Sequence, residues 1–173
     1  MHLIDSWTLP DGTPLHLRPA RLQDAPALGR LIEGLTRRDL RWRFHGAVNG
    51  VPPERLARMA CADPTRELAL VVATSDPVGE HLVADVRCAV DGTGRCAEFA
   101  LMVAIGWRRR GIGRRALLAL QRTAAQRGLR WLYGSVRADN LPMLGLLRGC
   151  GFACTPDHHE PGLISTEART HHA

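Results

Sequence analysis

The fold is decided by the stretch from Cys96 to Arg114, which reads CAEFALMVAIGWRRRGIGR. Its first half is apolar and typical of a buried strand, whereas its second half combines arginines with Gly111 and Gly113 ahead of a helical pattern. The unpaired N–H groups and the dipole at a helix start favour an anion. Glycines let the backbone approach a ligand closely and tolerate positive φ. We therefore predict that residues 108–114 form a cradle for a pyrophosphate.

Three other interpretations of this junction remain open. The glycines could form a simple turn, with the arginines on a solvated surface. The spacing Gly111-x-Gly113-x-x-Ala116 also fits a dinucleotide fingerprint, but Tyr133 stands where that fingerprint needs an acidic residue. The basic helix could contact DNA phosphates, although its Leu and Ala residues favour packing against a sheet.

Hydrophobic spacing on both sides of the junction predicts an α/β (α+β) fold. Strands are expected at 15–18, 67–73, 81–90, 96–104 and 131–136 and from 151, and helices after Asp24 and at 37–44, 53–60, 114–127 and 140–149. The order indicates a mixed, mostly antiparallel central sheet of six to seven strands with helices on both faces. We expect a single domain over residues 1–173, with a core at about 12–155. Residues 156–173 should form a polar tail with at most one short strand near 163–166.

Composition excludes several classes of function. The chain has 173 residues and a net charge of +6, and all 23 basic residues are arginine. Without lysine, neither a Walker-A phosphate loop nor a Schiff base is possible. No apolar run is long enough to span a bilayer and no secretion signal is visible, so a soluble, cytoplasmic protein is expected.

The five cysteines are scattered, which predicts reduced thiols and no metal. A metal site at Cys150, Cys154 and His158-His159 is conceivable, but ligand spacing of that kind is weak evidence.

The segment Arg108-x-x-Gly111-x-Gly113 resembles the (Gln/Arg)-x-x-Gly-x-(Gly/Ala) signature of the GCN5-related N-acetyltransferase (GNAT) superfamily. Asn140, Leu146 and Gly151-Phe152 are similar to a second segment of that family, on the following helix. The resemblance covers about residues 12–155. It implies acetyl-CoA as co-substrate and no metal.

A closer resemblance is to the acetyltransferase domain of bacterial Pat-type protein-lysine acetyltransferases. Its residues are Asp11-Gly12-Thr13, Leu17-Arg18-Pro19, Asp24, Arg41-x-Arg43-Phe44 and Ala97-Glu98-Phe99-Ala100. The likeness implies that Glu98 is the catalytic general base and that residues 37–59 line the acceptor side. Glu98 is also the lone acid in its strand and shares a face with Ala100 and Met102. The alternative is an exposed glutamate at the start of a strand.

Cofactor binding is assigned to the end of that strand, the arginine–glycine loop and the later asparagine. Beyond Glu98 the strand should splay from the 131–136 strand and leave backbone groups near Met102 and Val103 free. Asn140 could hydrogen-bond the cofactor or cap its helix. The predicted cofactor-binding residues are Met102, Val103, Arg108, Arg109, Arg110, Gly111, Ile112, Gly113, Arg114 and Asn140.

The resemblance fails at one position. Leu147 replaces the tyrosine that serves the family as general acid, and the only tyrosine, Tyr133, is expected to be buried on a strand. We therefore expect water to serve as proton donor.

The sequence predicts an acetyl-CoA-dependent N-acetyltransferase whose acceptor is a primary amine, favouring protein lysine side chains. A small-amine or antibiotic acetyltransferase and a non-catalytic CoA-binding sensor are alternatives. Nucleic acid and membrane partners are not expected, and the sequence does not indicate the oligomeric state.

Overall fold

The computed structural model describes residues 3–44 and 51–170, which form one eight-stranded sheet and five α-helices. The strands are β1 (Asp5–Thr8), β2 (Pro14–Pro19), β3 (Glu67–Asp76), β4 (Gly79–Val90), β5 (Cys96–Val103), β6 (Trp131–Arg137), β7 (Ala153–Pro156) and β8 (Leu163–Arg169). The helices are α1 (Ala25–Glu33), α2 (Arg37–Phe44), α3 (Pro53–Ala60), α4 (Ile112–Gln126) and α5 (Leu141–Gly149). Within these ranges, every helix is too short or too polar to cross a membrane.

The strands lie in the order β1-β2-β3-β4-β5-β6-β8-β7. The pair β5–β6 is parallel, and the other adjacent pairs are antiparallel. A parallel pair needs a long crossover connection, and the loop with α4 provides it. The mixed, mostly antiparallel sheet is therefore confirmed, and the change of direction falls at the stretch that decided the fold.

Eight strands exceed the predicted six to seven. The missed strand is β1, which has four residues that alternate between half-buried and exposed, so it has no apolar run to detect. The segment predicted as a polar tail contains β8, which runs to Arg169 and lies between β6 and β7. The ordered sheet therefore extends well beyond the expected boundary at 155.

Helices cover the two faces of the sheet unequally. Helices α4 and α5 pack over the larger core, where Leu117, Leu120 and Leu147 are fully buried. Helices α1 and α3 cover the other face, where they meet side chains of β3, β4 and β5, Met102 among them. The central strands β3 and β4 are therefore buried on both faces.

This second helical layer does not reach β6. Burial along β6 alternates strictly, and Trp131 and Tyr133 are 39% and 36% exposed. The expectation of a buried strand, with Tyr133 buried in it, is therefore wrong. The cause is the position of the helices and not the composition of the strand.

Candidate active site

The site begins where β5 and β6 separate. The two strands pair only over three positions, from Cys96 with Trp131 to Glu98 with Tyr133. Beyond Glu98 the rest of β5 pairs with β4 alone, while β6 continues along β8. The predicted splay is confirmed, and one edge of β5 is open.

Register decides which backbone groups face this opening. The Ala104 N–H donates to the Val83 carbonyl at 2.9 Å, and alternation in an antiparallel ladder then turns the amide groups of Met102 toward β4. The groups of Leu101 and Val103 face the gap instead. Met102 contributes its buried side chain, so Leu101, which the sequence did not single out, provides the free backbone beside Val103.

The loop between β5 and α4 has an unusual backbone. Arg109 and Gly111 both have positive φ, 63° and 78°, and Gly111 precedes the first turn of α4. No side chain caps this helix start, and its first turn contains no acidic residue. The first N–H groups of α4 therefore have no partner within the helix and are free for an anion.

Gly113 has a different role from the one predicted. It does not have positive φ, and a Cβ at this position would lie 3.3 Å from Leu146 and 3.5 Å from Val103. The glycine thus lets the first turn of α4 approach β5 and α5 closely.

The arginines of the loop divide into two pairs. Arg108 donates to the Val103 carbonyl at 3.1 Å and forms an ion pair with Asp39 at 2.9 Å. Arg110 forms a 2.8 Å ion pair with Asp11. Among the described residues, the exposed Arg109 and Arg114 have no acidic partner. The first pair therefore holds the loop, and the second is available to a ligand.

Asp39 is a site residue that the sequence analysis missed. It is buried, and burial acts to raise its pKa, but hydrogen bonds from Thr36 and the Arg108 guanidinium outweigh burial and hold the pKa below its usual value. The ionised carboxylate ties α2 to the loop. The sequence did not indicate this contact because Asp39 and Arg108 are far apart along the chain.

A cleft of about 520 Å³ lies over the open edge of β5. Its lining includes nine of the ten predicted cofactor residues, all except Arg110. Trp42 of α2 lines it too, and its indole N–H donates to Asp139 at 3.0 Å across the gap. Asn140 caps α5 by accepting from the Met143 N–H at 3.3 Å, which confirms the predicted cap.

Glu98 lies in a second cavity of about 500 Å³. This cavity also contains Ala100 and Ser135, and Arg43 of α2 lines both cavities. Glu98 is exposed, on the face of β5 that α2 and α3 approach. The two cavities thus adjoin at Arg43 and the middle of β5.

Two positions in the sequence are considered for a proton donor, Leu147 and Tyr133. Leu147 is fully buried in the core and does not line either cavity, whereas its neighbour Leu146 lines the first. Tyr133 pairs with Glu98 in register and is exposed beside it. Burial, followed by Asp91, Glu98 and Cys96, raises the pKa of its phenol.

The cleft therefore combines a splayed strand pair with an uncapped, arginine-flanked helix start. The model of the GNAT family of acetyltransferases matches residues 36–152. That match covers more than half of the 173 residues, so the chain belongs to the GNAT acetyltransferase family and is an acyltransferase. The fold of this family uses acetyl-CoA.

Solved structures support the same fold. The GNAT domain of S. lividans PAT aligns with a TM-score of 0.84 at 22% identity, over 95% of this chain and 96% of that one. RimL, a ribosomal L7/L12 alpha-N-protein acetyltransferase solved with coenzyme A, aligns at 0.75 and 16% identity, over 97% and 98%. A spermidine N-acetyltransferase chimera from Vibrio cholerae SpeG and hSSAT aligns at 0.67 and 18%, over 90% and 95%.

Proposed function

We propose that this protein transfers an acetyl group from acetyl-CoA to a primary amine, with lysine side chains of proteins as the acceptor class. The observation that carries the proposal is that the two cavities share Arg43 and are lined by successive residues of β5. One has the open strand edge and the uncapped start of α4, and the other has Glu98. A donor and an acceptor can therefore approach the same point from opposite sides.

The first cavity suits acetyl-CoA in its chemistry. The free N–H groups at the start of α4, together with Arg109 and Arg114, can hold the pyrophosphate. The backbone groups of Leu101 and the N–H of Val103 can pair with the amides of the pantetheine arm, while the Val103 carbonyl already accepts from Arg108. An N–H there can stabilise the oxyanion. Acetyl-CoA supplies the activated acyl group, while these residues bind and orient it.

Glu98 acts as the general base. A lysine ammonium has a pKa near 10.4, so one proton must leave before the nitrogen can attack. Glu98 takes that proton, directly or through a water molecule, as the nitrogen bonds to the thioester carbon. The nitrogen of the tetrahedral intermediate then loses its second proton to water, and the carbon–sulfur bond breaks. The CoA thiolate takes a proton from water, since Leu147 offers none.

The test is Glu98→Gln, with Glu167→Gln on the exposed face of β8 as control. Loss of a general base should lower kcat by about 10²–10⁴-fold. The affinity for acetyl-CoA should stay within about twofold, measured by calorimetry. Turnover is followed by mass spectrometry, because the five cysteines interfere with thiol reagents.

Two results would contradict this proposal in different ways. Full activity of Glu98→Gln would remove Glu98 from the mechanism. Tight acetyl-CoA binding by the unsubstituted protein with no turnover on any amine would indicate a CoA sensor instead.

A further inference from the structure

The cavity that contains Glu98 is lined by an excess of positive charge. Its only acidic lining residues are Glu67 and Glu98, against four arginines: Arg43, Arg55, Arg58 and Arg87. Such a lining is unexpected if the acceptor is a bare lysine ammonium, because like charges repel in a partly enclosed site.

One of these arginines already has a structural role. Arg87 on β4 forms an ion pair with the fully buried Asp85, and its second guanidinium nitrogen donates to the Met59 carbonyl at 2.9 Å. Its charge is neutralised within the protein, so it holds α3 on the sheet.

The other three have no such partner. Among the described residues, no carboxylate lies within 4.0 Å of the guanidinium nitrogens of Arg43, Arg55 or Arg58, and the sequence of residues 45–50 contains no acid. Arg43 and Arg55 lie 5.0 and 5.2 Å from the Phe44 ring centroid, which fixes their place beside the cavity.

Arg43 is the most informative of the three. It is half-buried, and its Nε is enclosed without a hydrogen-bond partner in the described part of the chain. Burial, then Arg87 and Arg55, lowers its pKa, while Asp85 and Glu98 act in the opposite direction. A guanidinium that lines a cavity and has no carboxylate partner can pair with an anionic group bound there.

We infer that the acceptor amine carries anionic groups close to the reacting nitrogen, and that for a protein acceptor these are acidic residues flanking the lysine. This inference rests on the proposed function. Carboxylates on the acceptor pair with Arg43, Arg55 and Arg58, while the amine lies at Glu98. Guanidinium–carboxylate pairs are among the stronger and more directional polar contacts, so they give specificity as well as affinity.

The first experiment compares three peptides with one central lysine and Glu, Ser or Arg at the two positions on either side. We expect kcat/KM to be about tenfold higher for the Glu peptide than for the Ser peptide, and lowest for the Arg peptide. The difference should shrink in 0.5 M salt, because screening weakens exposed charge pairs. The protein itself contains no lysine, so every acetyl-lysine detected belongs to the peptide.

A second arm distinguishes a peptide from a small molecule as the source of the anion. It compares 6-aminohexanoate with hexylamine, which differ by one carboxylate. Preference for 6-aminohexanoate without any peptide turnover would support the same anionic recognition, with a small-molecule acceptor.

Charge reversal tests whether the preference for acidic peptides depends on the arginines of the Glu98 cavity. The double variant Arg55→Glu and Arg58→Glu changes two exposed residues of α3 and should cancel or invert the order of the peptides. The control, Arg30→Glu and Arg130→Glu, makes the same charge change at exposed positions outside both cavities and should preserve the order.

Failure of the inference and failure of the proposed function give different results. Equal kcat/KM for the three peptides and the two small amines would overturn the anionic preference and leave an N-acetyltransferase. Absence of turnover on every amine tested would overturn the proposed function, and the inference with it.

Discussion

Arg110 and Arg114 lie at the same loop–helix junction, but only Arg110 is paired with Asp11. The Arg110 guanidinium is paired with this carboxylate at 2.8 Å, whereas Arg114 has no acidic partner among the described residues. An arginine that is already paired contributes less free energy to phosphate binding, because it must first release its partner. Identical side chains a few residues apart therefore have different expected contributions.

At this scale we predict that Arg114→Ala weakens acetyl-CoA binding by about tenfold, or ~1.4 kcal/mol. The matched change Arg110→Ala should weaken binding by less than about threefold, with the loss of its ion pair showing mainly in stability. Calorimetric titration with acetyl-CoA measures both. Equal losses in the two variants would contradict the division of the arginines into anchoring and binding pairs.

Single residues also show how far the sequence could be interpreted. The position of Glu98 follows from strand alternation, because an acid in an apolar strand must lie at its exposed end or in a site. Asp39 could not be found in this way, and Arg43 was noted only through the family resemblance and not for a role of its own. Their importance depends on α2 packing against the loop between β5 and α4. This tertiary contact cannot be detected in the local spacing of residue types.

At the scale of elements, the start of α4 lines the cleft and has no side-chain cap. Gly111 has a φ of 78°, and Gly128 at the other end of the helix has a φ of 80°. A Cβ at either position meets nothing within 4 Å, so an alanine there causes backbone strain and no clash. Of the two glycines, Gly111 borders the cleft and Gly128 lies outside its lining.

This pair gives a controlled prediction. Gly111→Ala and Gly128→Ala should each cost about 1–2 kcal/mol of stability, the penalty of a left-handed alanine. Thermal unfolding should then fall by roughly 2–8 °C in both variants. Only Gly111→Ala should also weaken acetyl-CoA binding, because it alters the N–H groups of the cradle. If both variants bind acetyl-CoA as the unsubstituted protein does, the loop backbone is not the anion site.

Elements were predictable to the extent that they bury a periodic face. Helix α4 and strands β3 to β5 have clear apolar spacing, and their positions were predicted within a few residues. Strands β1 and β8 are polar or mixed, so they have no clear apolar period, and they are held by pairing with β2 and with β6 and β7, respectively. Their existence depends on the sheet edge available to them, which a local window does not contain.

For the molecule as a whole, one buried ion pair joins the sheet to the first helix. Arg18 on β2 is fully buried, and its guanidinium forms two 2.8 Å bonds with Asp24 at the start of α1. Burial acts to raise the pKa of Asp24, but hydrogen bonds from Arg18 and the Arg21 N–H outweigh it and leave the pKa below its usual value. Asp39 shows the same balance.

Acid should therefore destabilise the fold. A carboxyl whose pKa is lower in the folded than in the unfolded chain, where it is near 3.9, stabilises the fold fully above about pH 5. That stabilisation is lost as the pH falls through the folded-state value. In urea unfolding between pH 7 and pH 3, the midpoint urea concentration should stay constant down to about pH 4 and decrease at lower pH.

The variant Asp24→Asn measures how much the Arg18–Asp24 pair contributes to this pH dependence of stability. Arg18 keeps its ion pair with Glu80 on β4, so replacing the Asp24 carboxylate with an amide should cost about 2 kcal/mol at pH 7. The variant should also lose part of the slope below pH 4, because one of the titrating groups is gone. The control Glu33→Gln, at an exposed position of α1, should unfold as the unsubstituted protein does at every pH. An unchanged acid slope in Asp24→Asn would exclude this pair as a cause of acid sensitivity.

The position of β8 between β6 and β7 has a consequence for biosynthesis. On the ribosome β6 emerges first, yet its outer edge has no partner until residues 163–169 have been made. At a translation rate of about 5–20 residues per second, that interval lasts a few seconds. An unpaired strand edge is a template for association with other chains, so nascent-chain chaperones are expected to engage this protein during that interval.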